Sequence, residues 1–215
     1  MSASSTHISD PTERFASDRI LAISDGIFAV ALTLLILDVK LPNGPVSTLA
    51  SALRTNAGHF GIFALSFSIV AYYWTVHHLV FVYVRSGDRA LMWLNLGFLF
   101  TIVVLPFSAG VLGEYPLAPL ALAIYGVNIA ACSLTLAAGW QHALRADLIE
   151  RPHEAQLRFI ARRFGVSAAL GLGGAALGFM IPVLALALFV ASPVAHALTS
   201  RPVPNPRNRR DHPEA

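Results

Sequence analysis

Among the polar residues within long apolar runs of this sequence are Ser24, Asp25, His77, His78 and Asn95. Buried in hydrocarbon such groups are costly, so each needs a partner or a task. Three chemistries fit them. They can form a hydrogen-bond network that holds helices together. They can move or sense protons, since imidazole and carboxylate titrate readily. His77, His78 and Asp25 also have the ligand types of a metal site. Adjacent histidines point about 100° apart on a helix, which weighs against one shared ion. No HExxH, GxSxG, paired-aspartate or glycine-rich phosphate motif accompanies them, so neither an enzyme nor a cofactor or resident metal is expected.

The elements that must position these groups follow from composition. Of 215 residues, 55% are hydrophobic and only 13% charged, about half the charge of an ordinary soluble domain. The mean hydropathy is +0.62. Too little polar surface exists to coat a water-soluble globule, and a lipid bilayer is the expected surrounding. The single cysteine, Cys132, sits in an apolar run and reads as a small hydrophobe.

A helix crossing about 30 Å of hydrocarbon needs about 20 apolar residues. Runs that meet this cover roughly Ile20–Val39, His59–Val84, Ala90–Leu112 and Leu117–Trp140. Residues 164–198 carry no charged side chain. That is long for one helix, and Gly171–Gly174 and Pro182 offer places to break it. A fifth helix starting near Leu157 and a sixth over Phe179–Leu198 make two. Asn95, His77 and Asp25 then fall roughly 8–12 Å inside the same membrane face.

Charge separates five spans from six. With the N-terminus inside, 13 of the 15 basic residues fall on the cytoplasmic side and only Lys40 and Arg54 outside. Such a bias matches the positive-inside rule, and six spans with both ends in the cytoplasm preserve it. It also explains a pI of about 9.4 without a nucleic-acid partner. The expected organisation is a polar N-terminal tail over 1–19, a six-helix membrane domain over 20–198, and a disordered Arg/Pro-rich tail over 199–215.

The first span opens Arg19-Ile20-Leu21-Ala22-Ile23-Ser24-Asp25-Gly26 and closes on Leu37-Asp38. Arg, three residues, then an apolar residue before Ser-Asp resembles the transmembrane protein 175 family, the endosomal and lysosomal potassium channels and their bacterial relatives. The family's Phe position is Ile23 here. Tyr73-Trp74-Thr75-Val76-His77-His78 resembles the family's second helix, and Trp93-Leu94-Asn95 with Leu105-Pro106-Phe107 its third.

The resemblance implies a potassium-permeable channel in a bacterial plasma membrane: a homotetramer with four first helices around the ion path. Potassium ions and the lipid bilayer are then the partners. It implies a constriction of side chains rather than a carbonyl filter, carried by Val30, Thr33, Leu34 and Leu37, with Asp38 at the outer mouth. Spacing alone shows no pore, because an all-apolar helix offers such a stripe at any rotation. Arg19, Ser24, Asp25, His77, His78 and Asn95 become a network that sets the pore helix and its gating. The competing function is a secondary transporter or proton-coupled carrier using the His/Asp cluster.

Overall fold

The computed structural model of the protein describes the backbone of residues 11–40, 45–149 and 154–199, and the side chains of 19–40, 45–149 and 156–193. The expected tails, apart from 11–19 and Thr199, lie outside the described residues. Every described element is helical: α1 (Pro11–Leu34), α2 (Leu49–Thr55), α3 (Ala57–Val82), α4 (Arg89–Glu114), α5 (Pro119–Arg145), α6 (Glu154–Gly178) and α7 (Pro182–Thr199). α1 thus begins within the stretch expected to be a polar tail.

Four stretches are long and apolar enough to cross a membrane: Arg19–Asp38, Ala57–Val82, Arg89–Glu114 and Pro119–Arg145. These follow the first four expected spans closely. α6 carries Arg158, Arg162 and Arg163 in its first half, which lowers its apolarity. α7 contributes a shorter apolar stretch, Pro182–Pro193. The chain breaks between them at 179–181, not in the glycine run. Pro182 lacks an N–H and disfavours helix in the residue before it, yet fits the first turn of the next helix. Pro119 starts α5 in the same way, after an extended Ala118.

Glycine serves packing instead. At the α5–α6 crossing, the most extensive interface in the fold, a Cβ on Gly126 would sit 2.4 Å from the Gly171 carbonyl oxygen, and one on Gly171 2.6 Å from the Gly126 oxygen. Small residues allow backbones this close where apolar burial alone cannot drive helices together. On α6, Gly174 makes room in the same way for the Phe189 ring of α7.

Buried polar pairs add directional links among α3, α4 and α5. Ser66 and Tyr125 hydroxyls lie 2.9 Å apart. The Tyr73 hydroxyl lies 2.7 Å from both the Ile129 carbonyl, to which it donates, and the Ser133 hydroxyl. Asn128 donates to the Thr101 carbonyl at 3.0 Å and accepts from Ser108 at 2.9 Å. It thereby braces the part of α4 that holds Pro106.

The two ends of the bundle differ. At one, Val84 and Ile149 form an antiparallel bridge, and the Arg85 N–H donates to Leu148 O at 2.9 Å. The turns after α3 and α5 are thus joined. Ile20 of α1 approaches Gly87 here. At the other end α1 tightens into a 3-10 turn, Leu35–Asp38, beside the start of α3 and the end of α4.

Candidate functional site

Ser24, Phe28, Ala31 and Leu35 recur at helical spacing and are buried at 2% exposure or less. They fix one side of α1 against α3 and α4. Ser24 Oγ donates to Ile20 O at 2.8 Å. Having spent its only proton, it accepts from Asn95 Nδ2 at 3.1 Å. Asn95 Oδ1 therefore faces His77 Nε2, 2.9 Å away, and that nitrogen must carry hydrogen. The direction of each bond follows from the one before it.

Aromatic rings enclose the imidazole. Phe81 and Phe98 stack on it, with centroids 4.4 and 5.4 Å away. Phe28 of α1 tilts against it at 5.7 Å. His77 Nδ1 is buried without a hydrogen-bond partner. Three helices are thus joined by Ser24, Asn95 and His77, and α1 adds Phe28 to the sleeve.

Asp25, the next residue after Ser24, points elsewhere. Its Oδ1 accepts from Trp74 Nε1 at 2.9 Å on an exposed face of α1 and α3. The His78 ring lies 5.9 Å from that of Trp74. The polar cluster expected at one depth is therefore two groups. The buried one is Ser24–Asn95–His77; the exposed one is Asp25–Trp74, with His78 beside it. The cause is helical geometry: neighbours in sequence diverge by about 100°. Among the described residues no three His, Cys, Asp or Glu side chains are placed to hold a metal ion. Asp25 bonds Trp74 while His77 bonds Asn95, so the two groups have separate hydrogen-bond partners. Arg19 is exposed and joins neither group.

Val30, Thr33, Leu34 and Leu37 are all exposed, on the side of α1 away from its packed residues. The first span is 22% buried, against 50–56% for the other three. Thr33 Oγ1 donates to Val30 O at 2.8 Å, which leaves the hydroxyl's lone pairs facing outward.

Asp38 does not stand alone at the end of the helix. It shares a cleft of about 320 Å³ with Lys40, Asn56, His59, Ile62, Gly110 and Glu114, among others. Its carboxylate lies over Gly110, where a Cβ would come within 2.9 Å of Oδ2. His59 Nε2 lies 3.7 Å from Glu114 Oε2. Sequence reasoning missed this cleft. The available signal was Gly110, Gly113 and Glu114, an i, i+3, i+4 strip that gives α4 a small-residue side near its end.

At the opposite end Asp88 caps α4, accepting from the Leu91 N–H at 2.6 Å, and meets His142 Nε2 at 2.8 Å. Partial burial pushes its carboxyl pKa up, but the Leu91 N–H and His142 outweigh this and hold it below the ordinary value.

A family model described as endosomal/lysosomal potassium channel TMEM175 matches residues 19–106. That stretch contains the α1 stripe and both polar groups. A protein of Streptomyces collinus named a potassium channel is 35% identical over 169 residues, 73% of this chain and 82% of that protein. Another protein of that name, from Chamaesiphon minutus, is 29% identical over 87% of this chain and 97% of its own length. The crystal structure of a lysosomal potassium-selective channel TMEM175 homolog from Chamaesiphon minutus matches with a TM-score of 0.77 at 27% identity. The match covers 87% of this chain and 99% of that one.

Proposed function

We infer, from the premise that the chain belongs to the TMEM175 potassium channel family, that it is a potassium-permeable channel. Four copies surround an axis, each supplying α1 to the lining. The observation that carries this reading is the exposed side of α1. One side of the helix is locked by Ser24, Phe28, Ala31 and Leu35, while Val30, Thr33, Leu34 and Leu37 face outward together. In the assembly that outward side meets its symmetry mates. The chain spans the bacterial plasma membrane six times, with both ends in the cytoplasm and α6 and α7 as the last two spans.

Rings of Val30, Leu34 and Leu37 close the path by excluding water. A dilation or rotation of α1 opens it. A cation crossing such a ring sheds part of its hydration, which potassium does more readily than sodium. Thr33 offers replacement oxygens, because its own proton is held by Val30 O. Asp38 raises the local cation concentration at the outer mouth. Ser24, Asn95 and His77 fix the rotation of α1 and so which residues face the axis.

Potassium flux into liposomes holding purified protein tests this. Wild type passes potassium down its gradient without a co-substrate, and Leu37→Ala increases the flux by widening the ring. Flux unchanged by Leu37→Ala removes the stripe from the pathway. Flux that requires a coupled substrate makes the protein a carrier.

A further inference from the structure

Three arginines fall within six residues in the first half of α6: Arg158, Arg162 and Arg163. Their directions differ. Arg163 turns into the protein, its guanidinium carbon 5.4 Å from the centroid of the Tyr72 ring on α3 and 5.1 Å from that of Phe159. Arg162 diverges from it by about 100° and is exposed. Arg158, one turn earlier, is exposed on the same side. Ile160, Phe164, Ser167 and Ala168 are buried on the opposite, packed side. α6 packs against α5 and α7, whereas α1 packs against α3 and α4. With α1 on the axis of an assembly, α6 therefore lies at its periphery, and the exposed side of α6 meets lipid. Beyond the arginines that side carries the exposed Val166 and Leu172, and no further charge follows up to Gly178.

A bond between helices sets the depth of the pair. Ser167 Oγ donates to the Tyr72 hydroxyl at 3.2 Å. Tyr72 precedes Val82, the last residue of α3, by ten positions, which is about 15 Å along the helix. Arg162 precedes Ser167 by five positions and Arg158 by nine, about 7.5 and 13.5 Å. α6 runs back from the face at which α3 ends. Arg158 is thus level with the membrane edge, and Arg162 lies about 7 Å inside it. A guanidinium facing hydrocarbon at that depth is costly. Helical side chains lean toward the N-terminus of their helix, here the membrane edge, so Arg162 reaches out beside Arg158. Two positive charges then meet at i, i+4, where they repel unless an anion lies between them.

We propose that Arg158 and Arg162 hold the phosphate of an anionic phospholipid of the cytoplasmic leaflet, with its acyl chains along Val166 and Leu172. This rests on the six-span arrangement with both ends in the cytoplasm. Guanidinium groups match phosphate oxygens bidentately. Arg158 also interacts within the protein, so Arg162 is the principal contact. Lipid is the source because the charges sit above an apolar side that opens sideways into the bilayer, which a free phosphate leaves uncovered. The headgroup is net negative, since the ammonium of a zwitterionic one brings a third positive charge to the pair. The bound lipid steadies the first half of α6 against α3, to which Arg163 and Ser167 already fasten it.

The test uses purified full-length protein in detergent at about 0.15 M salt. It is titrated separately with dioleoylphosphatidylglycerol, dioleoylphosphatidylcholine and inorganic phosphate, and thermal unfolding is followed. Saturating phosphatidylglycerol should raise the melting temperature by about 2–4 °C, and the other two should leave it unchanged. Arg162→Gln should weaken the apparent affinity for phosphatidylglycerol about fivefold, and removing both arginines more than about tenfold. Arg54→Gln, on the outer side, should bind like wild type. Where Arg162→Gln does not fold, Arg158→Gln carries the same test. An arginine variant that binds phosphatidylglycerol like wild type overturns the proposal. So does equal stabilisation by phosphatidylcholine or by inorganic phosphate, or an equal loss in Arg54→Gln. Binding is read without ion flux, so a protein that binds the lipid yet passes no potassium overturns the channel reading alone. A reporter fused after Ala215 that is active outside the cell overturns the assigned leaflet.

Discussion

Replacing Asn95 with leucine probes the link between α1 and the rest of the bundle. The amide makes two bonds, at 3.1 Å to Ser24 Oγ and 2.9 Å to His77 Nε2. Leucine is of similar size, so the loss is one of bonding more than volume. The His77 N–H is left unpaired among Phe28, Phe81 and Phe98. A buried donor without a partner costs about 1–3 kcal/mol. Interhelical bonds inside membranes average about 0.6 kcal/mol and reach about 1.7, because the unfolded helices also find partners in the bilayer. Asn95→Leu should therefore cost about 1–2 kcal/mol in reversible unfolding from mixed micelles. Ser24→Ala should cost about 1 kcal/mol or less, since it strands only the Asn95 N–H. Once Asn95 is gone, the Ser24 oxygen has lost its distant partner. The double variant should then cost little more than Asn95→Leu alone, a coupling of about 0.6–1.7 kcal/mol. Strict additivity, within about 0.3–0.5 kcal/mol, would refute the idea that the three residues act as one unit.

The exposed Asp25–Trp74 bond supports α1 from a different side, so Asp25→Ala should reduce the yield of tetramer on gel filtration before it alters ion preference. A variant that assembles normally and loses only selectivity contradicts that role. Gly171→Ala forces α5 and α6 apart, since its methyl would lie 2.6 Å from the Gly126 oxygen and 2.8 Å from the Ala130 nitrogen. It should destabilise the fold by about 1–3 kcal/mol in detergent melts. Gly173→Ala, which meets nothing within 4 Å, should be neutral or slightly stabilising. Asp88 has its pKa lowered in the folded state. Its stabilisation is therefore present above the ordinary carboxylate value and fades as pH falls through the lower folded value. The melting temperature attributable to Asp88 should be level from pH 7 to 5 and decline only below about pH 4. Asp88→Ala should remove that acid limb and cost about 1 kcal/mol at neutral pH through loss of the cap.

Much of the fold was legible in one dimension because hydrocarbon demands long apolar stretches. Span two was expected over His59–Val84 and is helical over Ala57–Val82; span three was expected over Ala90–Leu112 and is helical over Arg89–Glu114. Composition and length suffice there, since no other regular backbone satisfies its own polar groups within one apolar segment. The Arg, Ser-Asp, His-His and Trp-Leu-Asn motifs also carried the family, because each keeps its order along the chain.

What only tertiary structure decided was partnership. The sequence placed Ser24, Asp25, His77, His78 and Asn95 at a common depth. It did not say that Ser24 bonds Asn95 while Asp25 turns to Trp74. Depth is a sum of rises along a helix and can be counted from residue number. Facing depends on how each helix is rotated about its own axis, which is set by packing from distant segments such as Gly126 on Gly171 and Phe28 on His77. For the same reason the sequence marked Asp38 as a helix end but gave no sign of His59 and Glu114 beside it. Those two residues are 55 positions apart in the chain and meet only because α3 and α4 bring their far ends together.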